Sequence, residues 1–171
     1  MTTRRIVTKI GDIFSVTIDE RCKKYFQLIT HDSRQLNSDV IRVFKEKYPI
    51  SATPDFSEIV KGEVEFYAHC ITKFGVKLGY WQKVGKANDV GEFDHVLFRD
   101  TMEYGRKAGE EPIMVSNKWH VWRIGDAHFT DVGKLEGENR RAEIGLVINP
   151  KSIVNRIKTG KYDFPFYPNF E

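Results

Sequence analysis

Side chains that can bind a metal ion or transfer a proton are concentrated between residues 120 and 131. His120 is followed there by Asp126, His128 and Asp131. Two imidazoles with a carboxylate can ligate a metal ion, so a small hydrolase or metal-dependent enzyme is one alternative for this chain. The spacing places no two histidines one helical turn apart, and Gly125 before Asp126 is typical of a turn. A solvated loop is therefore the favoured interpretation of this pattern.

The cysteines give no pattern that is typical of a nucleophile or a disulfide. Cys22 and Cys70 are the two cysteines of the chain, and His69 directly precedes the second. Neighbouring side chains on a strand point to opposite faces, so this histidine cannot activate its neighbour. A pair of this kind favours reduced thiols.

Carboxylates and glycines add no catalytic motif. Glu63 and Glu65 share one face of a predicted strand, as an acid–base pair would, although polar sheet faces carry such residues routinely. The glycine patterns of phosphate-binding loops and of serine nucleophile elbows do not occur. The sequence therefore assigns no catalytic residue, no cofactor and no metal.

Aromatic side chains beside basic ones form the candidate binding residues. Tyr80 and Trp81 lie between lysines, and Trp119 and Trp122 lie beside Arg123. Aromatic and arginine side chains anchor protein interfaces, and they also stack on nucleic-acid bases. Alternation along a strand places about half of them in the core instead. A nucleic-acid-binding module is a further alternative, but the basic residues form no continuous stripe.

Length and composition exclude several classes of protein. The 171 residues carry a net charge of +3, with 40% hydrophobic and 13% aromatic residues. We expect one domain over residues 1–171 with a packed core, not a disordered chain or a disulfide-stapled one. The sequence has no apolar segment as long as a secretory signal or a bilayer span, so a cytoplasmic address and no membrane contact are expected.

Apolar alternation predicts a strand-rich region over residues 10–148. Short polar connections between the first three strands favour an antiparallel meander. A short helix is predicted over residues 55–61, and the region 85–115 is expected to be rich in loops. Strands are predicted over residues 12–18, 24–31, 39–45, 63–70, 74–83, 96–99, 118–124 and 141–148, the last having the most regular alternation.

One well-capped helix is predicted over residues 150–159. Asn149 suits the N-cap, Pro150 the first helical position and Gly160 the position after the last turn. The aromatic tail over residues 161–171 is expected to lie back over the body. The predicted fold class is α+β, with a curved, largely antiparallel sheet, this C-terminal helix and the short helix in the first half.

Several of these segments also carry a family resemblance. KIGDIFSVTI with the following KKYFQLITHD, then SDVIRVF and KWHVWRIGD, resemble the Immunity protein 26 family of bacterial polymorphic-toxin systems. NPKSIVNRIKTGKYDF is similar to the end of that family, and together the segments span most of the chain. The resemblance implies a cytoplasmic protein that neutralises a cognate protein toxin by stoichiometric binding, without an enzymatic step. Residues 85–115 match least, so partner choice is expected to differ there.

A net positive charge raises a question about the partner. Immunity proteins against nucleases often present acidic side chains to a basic toxin. Either this toxin is not a nuclease, or a local acidic patch binds it, although a merely solubilising surface is favoured for such residues. The candidate acids are Asp89, Glu92 and Asp94, or Glu136 and Glu138. The oligomeric state stays open.

Overall fold

The computed structural model describes residues 5–103 and 109–171. Its strands are β1 Asp12–Thr17, β2 Cys22–Asp32, β3 Ser38–Phe44, β4 Tyr48–Pro49, β5 Val64–Cys70, β6 Gln82–Lys86, β7 Leu97–Thr101, β8 Trp119–Arg123, β9 Thr130–Gly133 and β10 Glu143–Ile144. Its helices are α1 Phe56–Ile59, α2 Thr72–Lys77 and α3 Pro150–Thr159, with a 3₁₀ turn at Gly137–Arg141. The α+β fold class is confirmed. None of the described helices combines the length and the apolar character needed to cross a bilayer.

The first sheet has six strands, with β5, β3, β2, β1 and β6 in spatial order and β4 paired to β2. All of its pairs are antiparallel, so the predicted meander is confirmed. Phe14 lies opposite Phe26, and Val43 pairs with both Phe26 and Phe66. Because neighbouring strands bring these side chains to the same face, one face of the sheet is apolar.

The main core lies between that apolar face and α3. Phe14 stacks on Phe26 with ring centroids 4.9 Å apart, and Trp81 meets Phe26 edge-on at 5.0 Å. Ile153 and Ile157, from the predicted apolar stripe of α3, are buried against these rings. The amphipathic helix therefore covers the sheet as its sequence pattern requires.

The second sheet has four strands in the order β10, β7, β8, β9. Its β10–β7 pair is parallel, and the other pairs are antiparallel. Phe98 and Trp122, from its centre, are buried against Ile29 and Val40 of the first sheet. The two sheets therefore share an apolar interface.

The prediction of a strand over residues 74–83 is wrong. The chain forms α2 there, ends it at Gly79 with a φ of 78°, and enters β6 only at Gln82. Tertiary packing overrides the local alternation, because Trp81 must reach the main core, where its Nε1 donates to the Thr72 carbonyl at 2.9 Å. Gly75 permits this approach, since a Cβ at that position would lie 1.9 Å from the indole ring.

The most regular alternation, over residues 141–148, also yields little strand. Only β10 pairs continuously, and Val147 adds an isolated bridge to His69. This segment passes from the second sheet to the first, so it cannot remain in one ladder. A Cβ at Gly145 would lie 2.1 Å from the Trp122 ring, which shows how closely the segment packs. The apolar residues alternate because every second side chain of this extended segment packs on the core, although most of the segment pairs with no strand.

The C-terminal helix and the tail follow their predictions. Asn149 accepts a hydrogen bond from the Ser152 backbone at 2.9 Å, and Gly160 ends α3 with a φ of 83°. Phe164 packs on the main core, and Phe170 packs on a further cluster around Trp119. The tail therefore covers both sheets. Of the loop-rich region expected over 85–115, residues 104–108 lie outside the described part.

Candidate functional site

The three candidate tryptophans are core residues, which corrects their interpretation as surface anchors. Trp81 is 2% exposed, and Trp119 and Trp122 are each 1% exposed. A side chain that is buried in the free chain offers a partner no contact area. Tyr80, at 37% exposure, and the exposed Arg123 are the members of this group that lie at the surface.

The predicted acidic residues are exposed. Asp89, Glu92 and Asp94 lie on the loop between β6 and β7. The backbone carbonyl of Asp89 accepts hydrogen bonds from Gln27 at 3.1 Å and from Arg42 at 3.0 Å, so buried side chains of the first sheet hold this loop. Glu136 lies just before the 3₁₀ turn and Glu138 lies on it, and both are exposed.

The histidine and aspartate candidates do not converge. The His120 ring packs on Phe129 with centroids 4.7 Å apart, and Asp131 lies opposite it on β9. Asp126 accepts a hydrogen bond from the Arg123 backbone in the turn after β8, as the loop interpretation expects, and His128 is exposed. Among residues 5–103 and 109–171, no three His, Cys, Asp or Glu side chains are placed to hold a metal ion.

Cys22 and Cys70 are free thiols. Cys70 lies in the main core, where burial raises the pKa of its thiol well above the ordinary value. A thiol of this kind is a poor nucleophile, because the thiolate is the reactive form.

Two buried polar side chains of the first sheet, which sequence reasoning missed, form a pair that is bound by donors from β8 and the turn after it. His69 and Asp32 are both 0% exposed, and the His69 Nε2 lies 2.9 Å from the Asp32 Oδ2. The indole Nε1 of Trp122 donates to the same oxygen at 3.0 Å. The backbone N–H groups of Arg34 and Gly125 donate to Oδ1 at 3.0 and 3.3 Å.

These contacts keep the Asp32 carboxylate charged. Burial raises its pKa, but the hydrogen bonds from His69, Trp122 and the two backbone amides outweigh burial and lower the pKa to about 2. Full burial denies the pair any contact with a substrate. The carboxylate therefore acts as a polar junction between the sheets, and no reaction is assigned to it.

An opening lined largely by apolar side chains lies where the N-terminal segment passes α2 and the β2–β3 turn. We call it the N-terminal groove. It has a volume of about 530 Å³, and a hollow of about 220 Å³ extends it toward Pro150. Its walls include Ile6, Val7, Thr8, Leu36, Asn37, Asp39, Ile71, Phe74 and Val147. Contiguous exposed apolar area of this kind is typical of interaction sites.

Leu36 lines this groove from a strained turn. Leu36 and Asn37 have φ values of 56° and 52°, and the Ser38 backbone donates to the Gln35 carbonyl at 3.0 Å. This is the geometry of a type I′ turn, which favours Asn and Gly at both central positions. The leucine is nevertheless 84% exposed, so it contributes almost nothing to the core.

Hydrogen bonds at Asp39 fix the walls of the groove. Its Oδ2 accepts from the Thr72 backbone at 2.8 Å and from the Thr72 hydroxyl at 2.6 Å, which holds the start of α2. The same hydroxyl meets Thr8 at 2.9 Å, and His31 lies 3.1 Å from the other Asp39 oxygen. The N-terminal segment, the turn and α2 are thereby tied together before any partner binds.

Cationic side chains lie at the edge of the groove. Arg5 and Lys73 both line it and are exposed. The one carboxylate among the lining residues, Asp39, is already held by Thr72 and His31. The groove therefore presents an apolar floor with a positive rim.

Comparison with protein-family models, with curated proteins and with solved structures gives no match to this chain. The resemblance to the Immunity protein 26 family stays a prediction from the sequence.

Proposed function

We propose that this chain is a stoichiometric protein-binding module, and that the N-terminal groove holds an apolar segment of its partner. The observation that carries the proposal is Leu36, a large apolar side chain kept exposed on a turn that disfavours it. Backbone strain of this kind, in which folding gains nothing, points to a functional role. Apolar anchors seated in a preformed groove account for most of the binding energy in many interfaces.

The charges around the groove indicate the chemistry of the partner. Arg5 and Lys73 complement acidic side chains on either side of the bound apolar segment. The net charge of +3 likewise suits an acidic partner surface better than a basic one. A partner of this chemistry is not a basic nuclease.

The resemblance of the sequence to the Immunity protein 26 family supports a cognate bacterial toxin as this partner. Under this proposal the chain acts in the cytoplasm, where it occupies the toxin surface in a one-to-one complex. Neutralisation then requires binding alone.

The test compares two exchanges of an exposed apolar residue for asparagine. Leu36→Asn removes the apolar anchor and suits the turn, so this variant is expected to fold at least as stably as the parent chain. Met102→Asn is the matched control, because Met102 is 87% exposed and does not line the groove. Each tagged chain is used for affinity capture at moderate salt, and co-eluting proteins are identified by mass spectrometry.

We expect one stoichiometric protein with the parent chain and with Met102→Asn, and its loss with Leu36→Asn. That protein, expressed alone, should arrest growth, and co-expression of the parent chain should relieve the arrest while Leu36→Asn does not. Retention of the partner by Leu36→Asn would refute the proposal that the N-terminal groove binds the partner. A captured partner without toxicity would refute the toxin assignment and leave the binding module standing.

A further inference from the structure

A second opening, which shares no lining residue with the N-terminal groove, lies between β7, the 3₁₀ turn, the end of α3 and the aromatic tail. We call it the arginine cleft. It has a volume of about 530 Å³, within the range of small-molecule sites. Its charged lining residues are Arg99, Arg140, Arg141, Arg156, Lys161 and Glu143.

The cleft concentrates positive charge. Five of its lining side chains are cationic and one is acidic, whereas the whole chain has a net charge of only +3. Within a cleft, partly screened from water, such an excess attracts anions more strongly than scattered surface charges do. Glu171 pairs with Arg140 and Glu138 pairs with Arg141, so two further cations are already neutralised.

Arg156 is already neutralised by the protein. Its guanidinium donates to both carboxylate oxygens of Glu143, at 2.7 and 3.2 Å. It also lies over the Phe66 ring at 4.0 Å from the centroid. Arg156 therefore forms part of the wall and leaves its neighbours to meet a ligand.

Arg99 is held in place by aromatic rings and a backbone carbonyl. Its guanidinium lies between the rings of Trp119 and Phe170, at 5.7 and 5.0 Å from their centroids, and donates to the Ala142 carbonyl. Among the described residues it forms no ion pair, and its buried Nε has no hydrogen-bond partner. Burial lowers the pKa of this guanidinium, an effect that a bound anion would oppose. Lys161, an exposed lining residue of the cleft, likewise has no carboxylate partner in the described part of the chain.

The remaining walls are aromatic. Tyr162 and Phe164 stack with centroids 4.8 Å apart, and Tyr167 lies 6.1 Å from Phe164. All three rings are half-buried, so each keeps part of its surface toward the cleft. A flat ring can pack against such surfaces while an attached anion reaches the cations.

We propose that the arginine cleft binds a nucleoside phosphate, with its phosphate groups at Arg99 and Lys161 and its base against the aromatic rings of the tail. Arginine and lysine pair with phosphate oxygens through charge-assisted hydrogen bonds, and a doubly charged group compensates the local excess better than a carboxylate does.

The experiment measures binding of ADP, pyrophosphate and adenosine to the full chain by titration calorimetry at about 0.15 M salt, where weak surface attraction is screened. ADP is expected to bind, with adenosine alone showing no binding and pyrophosphate binding at least tenfold more weakly. Lys161→Gln, at an exposed position, should weaken ADP about tenfold. Lys158→Gln is the matched control, because Lys158 is also exposed near the end of α3 but does not line the cleft.

Four results would overturn the proposal. The first is no binding of ADP at millimolar concentration. The second is equal weakening by Lys161→Gln and Lys158→Gln, which would show only diffuse attraction. The third is a short single-stranded RNA that binds more tightly than ADP with a steep dependence on salt, which would replace a nucleotide site by a nucleic-acid surface. The fourth is pyrophosphate binding as tight as that of ADP, which would show that the base makes no contact in the site. None of these outcomes depends on the N-terminal groove.

Discussion

At the scale of single residues, the Asp32 carboxylate is the most constrained group of the fold. It accepts four hydrogen bonds while fully buried, from His69, Trp122 and two backbone amides. Replacing a buried hydrogen-bonded charge leaves its partners unsatisfied in a medium of low polarity, which costs more than the net gain from the intact contacts. The main effect of replacing Asp32 on stability is therefore the cost of leaving its buried donors unsatisfied, which exceeds the contribution of any single hydrogen bond.

Asp32→Asn is expected to lower the free energy of unfolding by about 2–4 kcal/mol. The amide NH₂ replaces one acceptor oxygen, so at least one N–H donor of the site would face another donor. Urea denaturation measures the change. Asp94→Asn removes the same charge at an exposed position, and its effect should stay within about 0.5 kcal/mol. Equal effects of the two variants would contradict this account.

The same carboxylate predicts a dependence of stability on pH. Its pKa is about 2 in the folded chain and about 3.9 in an unfolded one. A depressed pKa contributes stability that is complete above about pH 4 and is lost as the pH falls toward 2. The difference in unfolding free energy between the parent chain and Asp32→Asn should therefore shrink by about 2 kcal/mol over that interval. If the difference in unfolding free energy stays constant between about pH 4 and pH 2, the assignment is contradicted.

Sequence reasoning did not find this residue because its partners are distant along the chain. Asp32 and His69 are separated by 37 positions, and Trp122 follows 90 positions after Asp32. No local spacing encodes such a pair. The GD pair at Gly125–Asp126 after β8 predicts a turn, but its spacing does not indicate that the Gly125 N–H also donates to Asp32.

At the scale of elements, apolar alternation fails to predict the secondary structure where another side chain packs closely against a glycine. The strands β1, β2, β3, β5 and β8 follow from alternation, and α3 follows from its caps. The segment from Thr72 to Lys86 does not, because Trp81 is placed by the core and Gly75 must accommodate it. The N-terminal groove was missed for a related reason, since its walls come from four separated segments of the chain.

Gly75→Ala is expected to lower the free energy of unfolding by about 1–3 kcal/mol, because the added methyl group overlaps the Trp81 ring. Alanine favours helices, so intrinsic propensity alone predicts the opposite sign. Gly79→Ala is the comparison: it meets no atom within 4 Å, and its cost of about 1 kcal/mol comes from a positive φ alone. Urea denaturation followed by far-ultraviolet circular dichroism distinguishes the two. A stabilised Gly75→Ala chain would contradict the packing explanation.

At the scale of the whole molecule, the two sheets are joined by both apolar and polar contacts. Phe98 and Trp122 pack on Ile29 and Val40, and the Asp32 junction lies in the same region. The tail then covers both cores, with the Asn169 backbone paired to residues 114 and 116. Separation of the sheets would expose all of these groups at once.

We therefore expect the sheets to unfold in one cooperative transition. Differential scanning calorimetry should give a calorimetric enthalpy equal to the van't Hoff enthalpy within about 10%. Trp122→Phe keeps most of the apolar volume and removes the indole donor to Asp32, so it should lower the midpoint while the transition stays single. Two resolved transitions in the parent chain would contradict the expectation of one domain over residues 1–171.

The distribution of the three tryptophans has a spectroscopic consequence. Trp81 belongs to the main core, Trp122 to the interface between the sheets, and Trp119 to the cluster beneath the tail. Each region thus carries one tryptophan, shielded from water in the folded chain. Replacing two indoles at a time by phenylalanine leaves a single tryptophan in a known place, which red-edge excitation selects over the tyrosines. The order in which water enters the three regions during unfolding can then be followed by emission wavelength, with no dye attached.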